Sequence, residues 1–137
     1  MARSTLSTAF LLRKATQRVT GMAETALGPH GLSLRHFGIL SAVATEPGIN
    51  QRLVGERLLI DRTTVVSLTD DLEDVGLVER RRGADRRSFS LHLTDDGRAR
   101  LTDLMSSVAE VHAEFLAPLS PADRTKLRDL LHLLVKT

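Results

Sequence analysis

The segment from Glu79 to Arg87, ERRRGADRR, places five arginines among nine residues. With two carboxylates against five guanidinium groups its net charge is +3, whereas the whole chain of 137 residues has a formal net charge of +2. Guanidinium groups bind phosphate and carboxylate oxygens through paired hydrogen bonds, so this segment indicates an anionic partner. A charge run is more often only a solvated surface, and the neighbouring elements must decide between the two interpretations.

A second group of polar side chains lies just before this segment. Asp61 is a suitable N-cap for a helix over about residues 62–75, whose apolar stripe consists of Val65, Leu68, Leu72 and Val75. The first turns carry small polar or bidentate groups suited to bases and phosphates, namely Arg62, Thr63, Thr64 and Ser67. Gln51 and Arg52, which begin the preceding short helix, are further candidate contacts.

Apolar periodicity and capping residues predict the elements that must position these groups. A first helix is predicted over about residues 5–27, and later helices begin after Ser33, Asn50, Asp61, Thr94 and Ser120. The pattern changes to period two at residues 77–80 and 89–93, which predicts two strands joined by the arginine-rich tip. The predicted fold is mainly α with a small β-hairpin wing. It is a single domain containing a winged helix-turn-helix unit over about residues 33–93.

The predicted helices outside this unit, at about residues 5–27 and 95–136, carry long apolar stripes. Leu12, Val19 and Met22 recur on the first, and Leu127, Leu130, Leu131 and Leu134 on the last. One small central unit cannot cover both stripes, so we expect a homodimer.

Composition excludes several classes of function. Apolar residues form 42% of the chain and charged residues 26%, which is typical of a folded protein. No cysteine is present and the five histidines lack metal-ligand spacing, so we expect no metal, no cofactor and no disulfide. No apolar run approaches the roughly 20 residues of a membrane helix, which favours a cytoplasmic protein without membrane contact. Because no nucleophile elbow, P-loop or HExxH motif occurs, we expect no enzyme.

The stretch INQRLVGERLLIDRTTVVSLTDDLEDVGLVERRRGADRRSFSLHLTDDGR resembles the MarR family of bacterial transcriptional regulators, most specifically in DRTTV, GLVERR and DRRSFSLHLTDDG. The resemblance implies a homodimer whose winged units bind a roughly palindromic double-stranded DNA site. It also implies a repressor that a small amphipathic or aromatic ligand releases from DNA. The residues Gly55, Leu59, Ser67 and Asp71 depart from the usual family pattern.

The family resemblance assigns roles to individual residues. Asp85 is expected to orient an arginine at the wing tip, and Arg87, or alternatively Arg86, to enter the minor groove. Arg80, Arg81 and Arg82, at the base of the wing, are expected to meet phosphates. Candidate ligand contacts are Arg35, His36 and His112, which lie on helices that border the family's ligand cavity.

An alternative function uses the same fold. A winged helix can serve only as a protein-interaction module without specific DNA binding, because fold alone does not fix function. Such a module has no need of an arginine-rich wing, so the sequence favours the DNA-binding interpretation.

Overall fold

The computed structural model describes residues 5–83 and 88–136. These residues form six α-helices and one antiparallel pair of strands, with a short 3₁₀ turn at Gly28–His30. In chain order the elements are α1 (Thr8–Leu27), α2 (Leu34–Thr45), α3 (Gln51–Leu58), α4 (Arg62–Asp74), β1 (Val78–Arg82), β2 (Phe89–Leu93), α5 (Asp95–Phe115) and α6 (Pro121–Val135). The mainly α fold with a β-hairpin wing is therefore confirmed.

Local hydrogen bonds explain where the helices begin. At each predicted cap a side-chain oxygen accepts the N–H of the residue three positions later, as at Asn50, whose Oδ1 lies 2.9 Å from Leu53 N. The same arrangement starts α2, α4, α5 and α6 at Ser33, Asp61, Thr94 and Ser120. Thr94 also donates its hydroxyl to Gly76 O at 2.6 Å, which joins the start of α5 to the end of α4.

A leucine in the left-handed region forms the turn between α3 and α4. Leu59 has φ 56° and ψ 43°, and its side chain is 92% exposed. The turn is tight because the Ile60 N–H donates to Gly55 O at 3.0 Å. An ideal Cβ on Gly55 would lie 2.8 Å from Ile60 O, so the glycine permits this close approach.

The hydrophobic core lies where α2, α3 and α4 meet β2 and the first half of α5. Its fully buried members include Leu40, Val54, Val65, Leu72, Leu91 and Leu104. On α5 the apolar side chains of Leu101, Leu104, Val108 and Val111 are buried, and that of Phe115 is half-buried. Because residues of α4 and of both strands belong to this one core, core packing fixes α4 and the hairpin relative to each other.

One predicted stripe, that of α4, differs from the structure. The sequence pattern places Val75 in the stripe of α4, but Val75 is 61% exposed, because α4 ends at Asp74 and Val75 is its C-cap. On α1, Leu12 is 42% exposed, and no residue of α6 is buried within the part of the chain that the structure describes. The apolar stripes of the terminal helices therefore remain uncovered in a single chain. No helix among the described residues is long and apolar enough to cross a membrane.

Candidate nucleic-acid interface

The first half of α4 presents an exposed polar surface. Burial of Val65 and Leu72 turns one face of the helix to the core, and the opposite face exposes Thr63, Ser67 and Asp70. Arg62, the first residue of α4, is exposed beside them. A helix can enter the major groove of DNA with its N-terminal side chains against base edges, and this surface has suitable groups and width.

Asp61 and Thr64 fix the start of α4 together. The Thr64 N–H donates to Asp61 Oδ2 at 3.0 Å, and the Thr64 hydroxyl donates to Asp61 Oδ1 at 2.6 Å. The hydroxyl hydrogen bond and then the backbone hydrogen bond hold the pKa of Asp61 below its ordinary value. Thr64 is half-buried, and its hydroxyl proton serves this cap, so only its oxygen lone pairs remain for another partner.

A cleft of about 240 Å³ separates the starts of α3 and α4 from β2. Its lining brings together three residues that the sequence proposed as nucleic-acid contacts, Gln51, Arg52 and Arg62. Arg52 is exposed and pairs with Glu56 at 2.9 Å. The Gln51 Nε2 atom is buried and has no hydrogen-bond partner among the described residues.

Two apolar side chains on the wall of this cleft are functional candidates that the sequence reasoning missed. Val66 on α4 is 36% exposed and Phe89 at the start of β2 is 37% exposed. Apolar groups at such a position can contact thymine methyl groups or sugars. The signal was present in the sequence, because Val66 lies three residues after Thr63 and must share its face.

The two strands of the wing direct the arginines to opposite faces. Arg82 pairs with Phe89 in the antiparallel register, whereas Arg81 pairs with Ser90. Because side chains alternate along a strand, Arg82 lies on the face of the hairpin turned to α4, and Arg81 lies on the other face. There Arg81 lines a second cavity with His92 and donates its Nε hydrogen to Glu79 Oε1 at 3.3 Å.

Arg80 makes intramolecular ion pairs that the sequence did not predict. One terminal nitrogen lies 2.7 Å from Asp70 Oδ1 and the other lies 3.0 Å from Glu73 Oε1. The Arg80 backbone N–H also donates to Glu73 Oε2 at 3.3 Å. The alternation of β1 turns this side chain toward α4, and the expected phosphate contact of Arg80 stays a prediction.

The remaining wing residues assigned from the sequence are Asp85, Arg86 and Arg87. They lie outside the described residues, so their expected roles stay predictions.

The candidate ligand contacts do not form one site in a single chain. The His36 Nδ1 accepts the Ser33 N–H at 3.0 Å, and Nε2 therefore carries the hydrogen that is donated to Asp71 Oδ2 at 2.9 Å. His36 thus ties the start of α2 to α4. Arg35, the next residue back, is exposed.

His112 lines a different cavity, of about 390 Å³, formed by α1, the end of α5 and α6. The walls are mostly apolar, from Val19, Phe115, Leu116, Leu127 and Leu131, with Arg124 and Arg128 beside them. Arg124 Nε is already engaged by Leu116 O at 3.1 Å and Leu119 O at 3.0 Å. In residues 5–83 and 88–136, no three metal-ligating side chains are grouped closely enough to hold a metal ion.

Comparison with known proteins agrees with this geometry. A family model described as MarR family matches residues 30–88, which run from just before α2 to the residue before β2. A suggested transcriptional regulatory protein for the hcr operon of Thauera aromatica is 32% identical over 110 residues, covering 80% of this chain. The match spans 66% of that relative's own length, just under two thirds.

Solved structures show the same fold along nearly the whole chain. A MarR family transcriptional regulator from Rhodococcus sp. RHA1 has a TM-score of 0.89 and 29% identity, with 96% of each chain covered. The chain belongs to the MarR family. CouR from Rhodococcus jostii RHA1, solved with bound p-coumaroyl-CoA, is also similar, with a TM-score of 0.85, 28% identity and coverage of 96% of this chain and 95% of CouR. The winged helix-turn-helix architecture of the MarR family is therefore confirmed.

Proposed function

We propose that this MarR family protein is a sequence-specific double-stranded DNA-binding regulator of transcription. The observation that carries the proposal is the exposed first half of α4, placed beside an arginine-lined cleft and a basic hairpin. In this arrangement α4 enters the major groove, and the wing reaches the neighbouring backbone and minor groove. Because bacterial chromosomal DNA lies in the cytoplasm, a protein with this function acts there.

The contacts divide into those that read bases and those that bind the backbone. Arg62, Thr63 and Ser67 face base edges, because they occupy the exposed N-terminal surface of α4. Gln51 and Arg52 approach phosphates at the start of α3. A rotation of Gln51 toward a phosphate oxygen gives its unpaired Nε2 donor a partner, which removes the cost of leaving a buried donor unsatisfied.

The wing carries the remaining contacts of the proposal. Arg81 and Arg82 bind phosphates on either side of the hairpin, and Arg87, or Arg86, enters the minor groove under the orienting influence of Asp85. Replacing Asp85 with alanine makes the wing more positive. Weaker binding of the selected DNA site by that variant nevertheless supports the orienting role, and tighter binding contradicts it.

Selection from a pool of random duplexes, followed by anisotropy titration of the selected and of random DNA, tests the central proposal. Arg62→Ala should weaken binding to the selected site by roughly 1–3 kcal/mol and should weaken binding to random DNA by less. Lys126→Ala removes the same charge from α6 and is the matched control, with little expected effect on either DNA. Absence of binding to any duplex at low salt would instead favour the protein-interaction alternative.

The exposed stripes of the terminal helices support a homodimer. On α6, Leu130 is 49% exposed, Leu134 is 67% exposed and Val135 is 71% exposed. Burial of these side chains against a second copy removes apolar surface from water. Sedimentation should give a dimer at micromolar concentration, and Leu134→Glu should raise the dissociation constant, whereas Lys126→Glu on the same helix should not. A folded monomer at that concentration would contradict the dimer.

The cavity beside His112 supports regulation by a small amphipathic or aromatic anion, in line with the ligand-bound structure of CouR. Apolar walls suit a ring and Arg128 suits a carboxylate. Arg35 and His36 remain second candidates at the start of α2. A ligand releases DNA only through unequal affinity for two states of the dimer.

Salicylate, with phenol as the uncharged control, is the first probe of the effector proposal. It should raise the melting temperature and weaken DNA binding, and a reporter under the protein's own upstream DNA should be derepressed. If a panel of phenolic acids, dyes and antibiotics changes neither the melting temperature nor the DNA affinity, the effector proposal fails while DNA binding stands.

A further inference from the structure

The guanidinium group of Arg80 is held by the second half of α4. The Arg80 side chain is only 14% exposed, whereas its partners Asp70 and Glu73 are 57% and 43% exposed. Beside its hydrogen bonds to these two carboxylates, the guanidinium donates a third hydrogen bond, to Val66 O at 3.4 Å. The single positive charge of Arg80 is therefore shared between two carboxylates that are partly exposed to solvent.

The position of Asp70 matters for DNA binding. It lies three residues after Ser67 and seven after Thr63, so these three side chains share the exposed face of α4. A DNA duplex placed against Thr63 and Ser67 brings phosphates toward Asp70. An uncompensated carboxylate at this place repels the DNA backbone, and Glu73, one turn further around, adds to the repulsion.

We propose that Arg80 is a positioning residue that makes the acidic half of α4 compatible with DNA. It offsets one of the two negative charges of Asp70 and Glu73 and turns both carboxylates toward the wing. The same contacts join β1 to α4, because Glu73 accepts from both the backbone and the side chain of Arg80. This inference rests on the proposed DNA-binding function and assigns to one wing arginine a role other than phosphate contact.

The role predicts a specific pattern of energetic coupling. If Arg80 acts through the two acids, replacing Arg80 weakens DNA binding only while those acids are charged. If Arg80 instead binds a phosphate directly, its replacement weakens DNA binding whether or not the side chains at positions 70 and 73 are charged.

A mutant cycle distinguishes these cases in the full-length protein. Arg80→Ala should weaken binding to selected and random duplexes alike by about tenfold at low salt. In a protein that carries Asp70→Asn and Glu73→Gln, the same Arg80→Ala change should alter affinity by less than about twofold. Both amides keep an oxygen that accepts from neighbouring donors.

Another pair of acids on α4 provides the matched control. Asp71 and Asp74 lie on the same helix, and Asp71 contacts His36 rather than Arg80. In a protein with Asp71→Asn and Asp74→Asn, Arg80→Ala should still cost about tenfold, although the net charge equals that of the other background. Urea midpoints of every variant verify that the binding measurements report on folded protein.

Equal losses from Arg80→Ala in the wild-type and Asp70→Asn/Glu73→Gln backgrounds would overturn this inference while leaving DNA binding intact. If the Arg80→Ala protein does not fold, the DNA affinity of the Asp70→Asn/Glu73→Gln protein tests the inference without it. It should bind DNA at least as tightly as the wild type, and weaker binding would overturn the inference. Failure of the wild type to bind any duplex would remove the proposed function and this inference together.

Discussion

Replacement of Gly97 by alanine should destabilise the protein through a clash between α5 and the chain entering β1. Gly97 is buried in the first turn of α5, against the backbone of Leu77. An ideal Cβ there would lie 2.0 Å from Leu77 O and 3.0 Å from Leu77 C. Both atoms belong to the backbone, so no side-chain rotation relieves the overlap.

The size of the effect follows from what must move. Leu77 O accepts the Thr94 N–H at 3.1 Å, and the Leu77 side chain is only 3% exposed. Overpacking of this kind costs roughly 1–3 kcal/mol, and a weakened hydrogen bond adds about 0.5–1.5 kcal/mol. Alanine recovers roughly 0.5–1 kcal/mol through its better helix propensity. We therefore expect a net loss of about 0.5–4 kcal/mol in the free energy of unfolding.

Urea denaturation followed by circular dichroism measures this loss, at one protein concentration because the stability of a dimer depends on concentration. Gly38→Ala is the matched control, since Gly38 is also helical and its Cβ would meet the Leu58 methyl groups at 3.4 and 3.6 Å, an ordinary contact. It should stabilise by roughly 0.5–1 kcal/mol. A Gly97→Ala midpoint at or above that of the wild type would refute the reasoning.

Three further predictions concern stability. Leu59→Gly should raise the free energy of unfolding by about 0.5–1 kcal/mol, because the left-handed conformation strains leucine, and an unchanged urea midpoint would argue against that strain. Asp61 stabilises the fold above its ordinary pKa of 3.8 and loses this contribution as pH falls through its lowered folded-state pKa. The stability advantage of wild type over Asp61→Asn should thus be constant from about pH 5 to 7 and shrink below about pH 4, and a pH-independent difference would exclude this linkage. Leu104→Ala should cost about 2–5 kcal/mol because Leu104 is fully buried, and a cost under about 1 kcal/mol would show that the core closes around the cavity.

The starts of α2 to α6 and the type of the fold could be predicted because their causes are local. A capping side chain bonds to the backbone three residues away, so Ser33, Asn50, Asp61, Thr94 and Ser120 mark helix starts without knowledge of distant residues. The period-two pattern of Phe89, Leu91 and Leu93 identified β2 by the same kind of local rule. The exposed polar face of α4 follows from helical periodicity alone.

Tertiary structure decided which charges are free to meet DNA. In the sequence Arg80, Arg81 and Arg82 are equivalent members of one basic run. The register of the hairpin and its docking on α4 turn Arg80 into the carboxylates of Asp70 and Glu73 and leave Arg81 on the other face.

The sequence by itself therefore determined the helix starts, the hairpin and the reading face of α4, because neighbouring residues supply those interactions. Only the folded chain decided that His36 joins α2 to α4 and that Arg80 joins α4 to the wing. These features depend on groups distant in sequence, such as His36 and Asp71, whose separation in space is set by packing of the core between them.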